Sequence, residues 1–358
     1  MQKELSYAGR YLEKKAIVIL TIVLLVSSQL TVMAGKGDTG WMTKRTYGIF
    51  MHYQYRILRG YCFKTTPEYP DTSQMNAAQW NRFVDGFDAK GFAAQMAKGK
   101  VGWVIFCLDG GRFAWPCSPN STFDHYTGYK PGQKCSNRDL IMDVANALNA
   151  RGIKLIVYFA GLNSNMVERK VSQGLADSIW HTIAPCSEES RKRRLEILKE
   201  YADRFGNKIA GWWFDVMEQN SYSNNPYGWG AIDSIVHKAN PKAVIAFSDG
   251  DKTEFKCTKP GLDDYTAGDT WSKEGLVHLT PNNFPASGIL WHGKIYCGNV
   301  YHGLGTSNQF TDRELIDWVT ACKSQGGICT MDWPFYPETG LIKDFGIRQM
   351  VNIGNAVK

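Results

Sequence analysis

Eight short apolar runs, separated by segments of helical spacing, constrain this fold more than any other feature of the sequence. Gly48–Gln54, Val101–Gly111, Ile153–Gly161, Lys208–Asp215, Ala243–Gly250, Gly261–Asp269, Lys294–Tyr301 and Ile328–Pro334 read as strands, the sixth as a short strand and loop. Several are continuously apolar rather than alternating, as expected of strands covered on both faces. Strands that alternate with helices predict parallel βαβ units. Eight units favour a closed (β/α)8 TIM-like barrel over an open doubly wound sheet, and no GxGxxG fingerprint supports the open alternative. No low-complexity linker interrupts the run, so one domain is expected over residues 35–358.

The helical segments carry their own punctuation. Phe87–Lys100, Ser136–Gly152, Ser187–Gly206, Tyr227–Pro241, Thr311–Gly327 and Leu341–Lys358 have helical spacing. Ser136, Ser187 and Thr311 stand at N-cap positions, and Gly152 at a stop. At the N-terminus, Lys14 and Lys15 precede the apolar Ala16–Val26, and Val32–Ala34 has the small residues of a cleavage site. This predicts a signal peptide over residues 1–34 and an exported protein, periplasmic or secreted, with no stable membrane insertion after cleavage. All nine cysteines follow that segment. Export permits disulfides, and Cys117–Cys135 reads as a loop-closing pair. Cys107, Cys297 and Cys329 lie in apolar runs, where a buried free thiol is expected. The net charge of +7 is spread without a basic block, which excludes a nucleic-acid footprint. No cysteine or histidine spacing suggests a metal, no cofactor is implied, and oligomeric state is not encoded in any pattern.

In a (β/α)8 barrel the chemistry sits at the carboxyl ends of the strands. Those ends present His52, Asp109, Tyr158, Asp215, Asp249 with Asp251, Asp264 with Asp269, Tyr301 with His302, and Asp332 with Trp333. Carboxylates beside aromatic platforms fit sugar chemistry: one acid protonates the leaving oxygen and a second carboxylate attacks the anomeric carbon. Asp215 is the foremost catalytic residue, because GWWFD reads as a buried strand whose last residue emerges charged. Trp212 and Trp213 alternate across that strand, and both are read as core.

The order of these motifs resembles glycoside hydrolase family 29, the α-L-fucosidases. YGIFMHYQ is similar to the family's first strand, IAGWWFDVMEQ to the strand bearing its nucleophile, and the segment from Gly326 to Lys358 to its closing unit. The resemblance runs from about Tyr47 to Lys358. It implies a retaining glycosidase with Asp215 as nucleophile, His52 on a sugar hydroxyl and Asp109 at the substrate loop. It also implies a glycan substrate. Many family members carry a C-terminal β-sandwich, and a single barrel without one is expected here. Tyr158, His302, Asp332 and Trp333 are carried as further substrate-binding residues. The acid/base falls on Asp269, one methylene shorter than the family's glutamate, or on Glu254. The family's paired histidines are replaced by Cys107 and Leu108, which points to a different deoxy or modified sugar. A carbohydrate-binding relative that has lost its acid/base is the alternative from another class.

Overall fold

Seven parallel strands form one curled sheet in the order β5-β4-β3-β2-β1-β7-β6. The strands are β1 Gly48–Met51, β2 Trp103–Cys107, β3 Lys154–Phe159, β4 Gly211–Phe214, β5 Val244–Phe247, β6 His292–Tyr296 and β7 Ile328–Asp332. This computed structural model describes residues 37–54, 76–109, 115–160, 188–215, 227–248, 261–268, 289–300 and 305–357. The predicted signal peptide lies outside them. Among the described residues no helix is long and apolar enough to cross a membrane, and no group of His, Cys, Asp and Glu could hold a metal ion.

The helices are α1 Ala77–Gly86, α2 Ala89–Lys98, α3 Ser121–Thr127, α4 Leu140–Asn149, α5 Glu188–Phe205, α6 Trp229–Ala239, α7 Asp312–Ser324 and α8 Asp344–Ala356. Each of the six predicted helical segments contains one. α1 and α3 were not anticipated: one fully buries just Trp80 and Val84, and the other is seven residues long. Thr311 caps α7 as expected, in a reciprocal pair with Glu314. Ser136 does not cap α4. Its hydroxyl donates to the Arg138 carbonyl, and the carboxylate of Asp139 receives the Met142 amide instead. An anionic cap also gains from the helix dipole. Gly152 does stop the helix: it sits at φ 69°, and the Ile153 amide reaches back to the Leu148 carbonyl.

The sheet separates two cores. Its outer face packs on the helices through residues such as Val104, Phe106, Leu155, Trp212 and Phe214. Its inner face packs on itself, through Phe50, Trp103, Ile105, Cys107, Ile156, Tyr158, Trp213 and Val244. The curl follows from a distance. β1 and β4 are three strands apart, about 14 Å in a flat sheet, yet the Phe50 and Trp213 rings lie 5.5 Å apart. Trp212 and Trp213 are therefore both core, on opposite faces.

The eighth strand is a correction. Between β5 and β6 the residues 263–268 hold the strand's place without forming one. The Asp264 amide donates to the Ile245 carbonyl, and Lys294 on the far side donates to the Gly268 carbonyl. The β5 amides are met by side chains: Ile245 N–H donates to Asp264 Oδ2 at 2.8 Å and Phe247 N–H to Asp263 Oδ1 at 2.7 Å. Carboxylates that bind neighbouring amides compete with a backbone ladder. The other Asp264 oxygen takes the Gly37 amide at 2.8 Å, while Asp38 N–H donates to the Lys242 carbonyl. Burial pushes the Asp264 carboxyl up to about 6.

A polar belt crosses the amino-terminal floor of the inner core. Gly48 pairs in register with Trp103 on one side and Thr330 on the other. The Trp103 indole crosses it to donate to Thr330 Oγ1 at 3.0 Å. A Cβ on Gly48 would meet that indole nitrogen at 2.0 Å, so only glycine permits the crossing. Having accepted from Trp103, the Thr330 hydroxyl donates to His292 Nε2 at 2.7 Å, and His292 Nδ1–H donates to the Thr266 carbonyl at 2.9 Å. Both ring nitrogens are thereby committed to the neutral form. Burial lowers the histidine from its ordinary 6.5 to about 4.

A second correction concerns sulfur. Cys117 and Cys135 are separate buried thiols, and Cys117 Sγ donates to the Cys107 carbonyl rather than bonding Cys135. Cys107, Cys297 and Cys329 are buried free thiols as expected.

The floor histidine has a measurable consequence. The unfolded chain takes up a proton near pH 6.5 that the folded chain refuses until about pH 4. Stability from this group is therefore complete above 6.5 and falls by about 3 kcal/mol as the pH drops through that window. In urea unfolding at pH 7 and pH 4, His292→Gln should lose less stability than wild type by roughly that amount. Equal losses would show that His292 is not the titrating group.

Candidate functional site

The carboxyl ends of β1, β3, β4, β6 and β7 bring a cluster of polar and aromatic groups to the inner face. Residues i and i+2 of a strand share a face, so each wall contributes a pair in line. β1 gives Phe50 and His52, β6 gives Lys294 and Tyr296, and β7 gives Thr330 and Asp332. The rings stack inward: Phe50 lies 4.2 Å from His52, and Tyr158 lies 5.3 Å from Trp213 with the planes 19° apart. His52 is flanked by Tyr158 at 6.2 Å and Tyr296 at 5.6 Å.

Asp215 follows β4 directly and is half-buried. Its amide continues the ladder to the Phe159 carbonyl, which fixes the backbone at the rim. The Tyr158 hydroxyl donates to Asp215 Oδ2 at 2.5 Å. Burial, and then the negative charge of Asp215, push the Tyr158 phenol well above its ordinary value. Tyr158 therefore stays protonated and serves as a fixed donor that orients one carboxylate oxygen.

Asp332 Oδ2 and His52 Nδ1 are 2.5 Å apart, both buried. The aspartate turns the imidazole, so the ring presents its Nε2 edge away from β7. Asp109 is also buried, and its Oδ1 accepts the Ala160 amide at 3.1 Å. It clamps the exit of β3, the strand that carries Tyr158. Cys107 receives the Gln54 side-chain amide at 3.1 Å.

His52, Tyr158, Asp215 and Asp332 are thus brought together, and Asp109 stands at the exit of β3. Trp333 is not among them. As the residue after inward-facing Asp332 it must turn outward, and its indole donates to Gln349 Oε1 of α8 at 2.9 Å. Asp264, read at a strand end, is spent on backbone amides. Glu254, Asp269 and His302 lie outside the described residues, as do Asp249 and Asp251.

Sequence reasoning missed Lys294 and Tyr296. Lys294 is fully buried, and its Nζ donates to the Tyr296 hydroxyl while lying 4.6 Å from the Phe50 ring. The available signal was a lysine and a tyrosine two apart inside an apolar run, which places both on one face.

No protein-family model matches this sequence, and no curated protein does. Its fold is similar to solved structures of TIM-like glycoside hydrolases. The endo-fucoidan hydrolase MfFcnA4 of glycoside hydrolase family 107 aligns over 88% of this chain and 52% of its own, with a TM-score of 0.64 and 16% identity. The α-L-fucosidase AlfC of Lactobacillus casei, solved with its α-L-fucose product, aligns over 88% and 96%, with a TM-score of 0.57 and 15% identity. A family 29 α-L-fucosidase of Bacteroides thetaiotaomicron aligns over 90% and 74%, at 0.57 and 18%. The chain spans about half the length of the first of these. At such identities the likeness defines the fold: a curled parallel α/β sheet of the kind these hydrolases use.

The His52–Asp332 pair can be checked by stability. Asp332→Ala leaves a buried imidazole without its carboxylate, and loss of one member of a buried pair costs about 3–5 kcal/mol. Urea unfolding should show that loss, and the double variant His52→Ala/Asp332→Ala should be destabilised by less than the sum of the two single variants. Strict additivity would mean the two side chains do not interact.

Proposed function

We propose that this chain is a glycoside hydrolase acting on fucose-containing glycans, with retention of anomeric configuration through a covalent intermediate on Asp215. The carrying observation is Asp215 at the end of a buried strand, with one oxygen held by Tyr158 at 2.5 Å. The solved structures of similar fold, among them fucoidan hydrolases and an α-L-fucosidase, support the substrate class. His52, turned by Asp332, offers a ring nitrogen to a sugar hydroxyl. Asp109 keeps the Tyr158 strand in place. The sequence reading supplies Asp269 and Glu254 as carboxylates for the acid/base role, His302 as a further substrate contact, and export as the setting.

A second reading has its own support. Where the family carries paired histidines, this chain has Cys107, whose sulfur receives Gln54. A thiol and an amide present a different donor pattern from two imidazoles. A deoxy or modified sugar other than fucose is the substrate that this change favours.

The test is turnover of aryl glycosides, the α-L-fucoside first. Asp215→Gly should lower kcat by about 10³-fold or more, and azide should restore turnover by replacing the missing nucleophile. An unchanged rate would remove Asp215 from the reaction. Sugar binding without turnover of any glycoside would overturn the hydrolase reading in favour of a binding protein.

A further inference from the structure

We infer that Tyr296, coupled to Lys294, is the proton donor of this site, an inference that rests on the glycosidase reading above. Both side chains lie buried on the inner face of β6. The Lys294 ammonium donates to the Tyr296 oxygen and sits 3.7 Å from the centre of its ring. Its stem is held against Phe50, at 4.6 Å from Nζ to that ring, so it does not swing out to water. A cation that hydrogen-bonds a phenol oxygen stabilises the phenolate relative to the phenol. It also takes up a lone pair of that oxygen, which turns the hydroxyl proton elsewhere.

The two tyrosines of the site are set apart by their neighbours. Tyr158 faces the Asp215 carboxylate, which holds its proton in place. Tyr296 faces an ammonium, which makes its proton easier to give up. Two like groups with opposed environments mark separate roles in acid–base chemistry. Placement agrees: the Tyr296 ring lies 5.6 Å from that of His52, which lies 6.2 Å from the ring of Tyr158, the partner of Asp215. Among the described residues, the other charged or titratable groups toward Tyr296 are His52 of β1 and Asp332 of β7, its register partner. Asp332 opposes ionisation of Tyr296, but its charge is shared with His52.

The step balances. The Tyr296 proton passes to the glycosidic oxygen as its bond to the anomeric carbon breaks. An Asp215 oxygen bonds that carbon, and the alcohol leaves neutral. The phenolate, beside Lys294, then takes a proton from water as that water's oxygen displaces Asp215. Phenol and carboxylate are both restored.

Two measurements decide it. In ultraviolet difference titration, wild type minus Tyr296→Phe should reveal one phenol ionising below the ordinary value of about 10, and Lys294→Met should raise it. On aryl α-L-fucosides, Tyr296→Phe should lose about 10²-fold or more with a methylphenyl leaving group and little with a dinitrophenyl group, which needs no proton. The proposal is overturned if no phenol ionises early. It is equally overturned if both leaving groups suffer the same loss, or if Asp269→Asn or Glu254→Gln shows the leaving-group dependence instead. If wild type cleaves neither substrate, the glycosidase reading falls and takes the transfer step with it, whatever the titration shows.

Discussion

The inner face of this sheet exists because the gap between β5 and β6 is bridged by carboxylates. A parallel sheet curled this tightly has two edges, and each presents unpaired amides to the interior. Asp263 and Asp264 answer the β5 edge with side-chain oxygens, while the backbone of the same segment serves β6. The arrangement costs a buried carboxylate its full ionisation, seen in the raised Asp264, and gains a floor on which the aromatic layer can pack. Above that floor Phe50, Tyr158 and Trp213 are pressed together, and the polar groups of the rim stand on them.

The rim itself is organised by pairing. Each carboxylate there is paired: Asp215 with Tyr158, Asp332 with His52, Asp109 with the backbone of β3. The buried lysine donates to a tyrosine. Buried charge without a partner is expensive, so these pairings are a condition of placing so many ionisable groups in one enclosure. They also leave the site differentiated, with a held carboxylate on one wall and a polarised hydroxyl on another.

Much of this was legible in the sequence, and the failures have physical causes. The apolar run ending in Asp215 could be read because burial and emergence follow each other along one strand. The helix stop at Gly152 could be read because few residues accept its backbone conformation. The eighth strand was misread because DDYTAGD has the composition of a strand end but spends its carboxylates on the neighbouring strand's amides. Trp333 was misplaced by treating two adjacent residues as one site, although the strand's period of two sends them to opposite faces. Tyr296 and Lys294 escaped notice because a lysine at the head of an apolar run looks like a boundary, whereas β6 in fact begins two residues earlier, at His292.

Gly37 bears on where the fold tolerates substitution. Its amide is tied to Asp264, and Asp38 to the carbonyl of Lys242 just ahead of β5. Gly37 is packed so closely that a Cβ there would meet the Ala243 carbonyl oxygen at 2.0 Å. The chain thus enters the fold at the floor, at the end of the strands opposite the polar rim. Substitution of Gly37 is therefore felt at the edge of β5, away from the rim that holds His52 and Asp215.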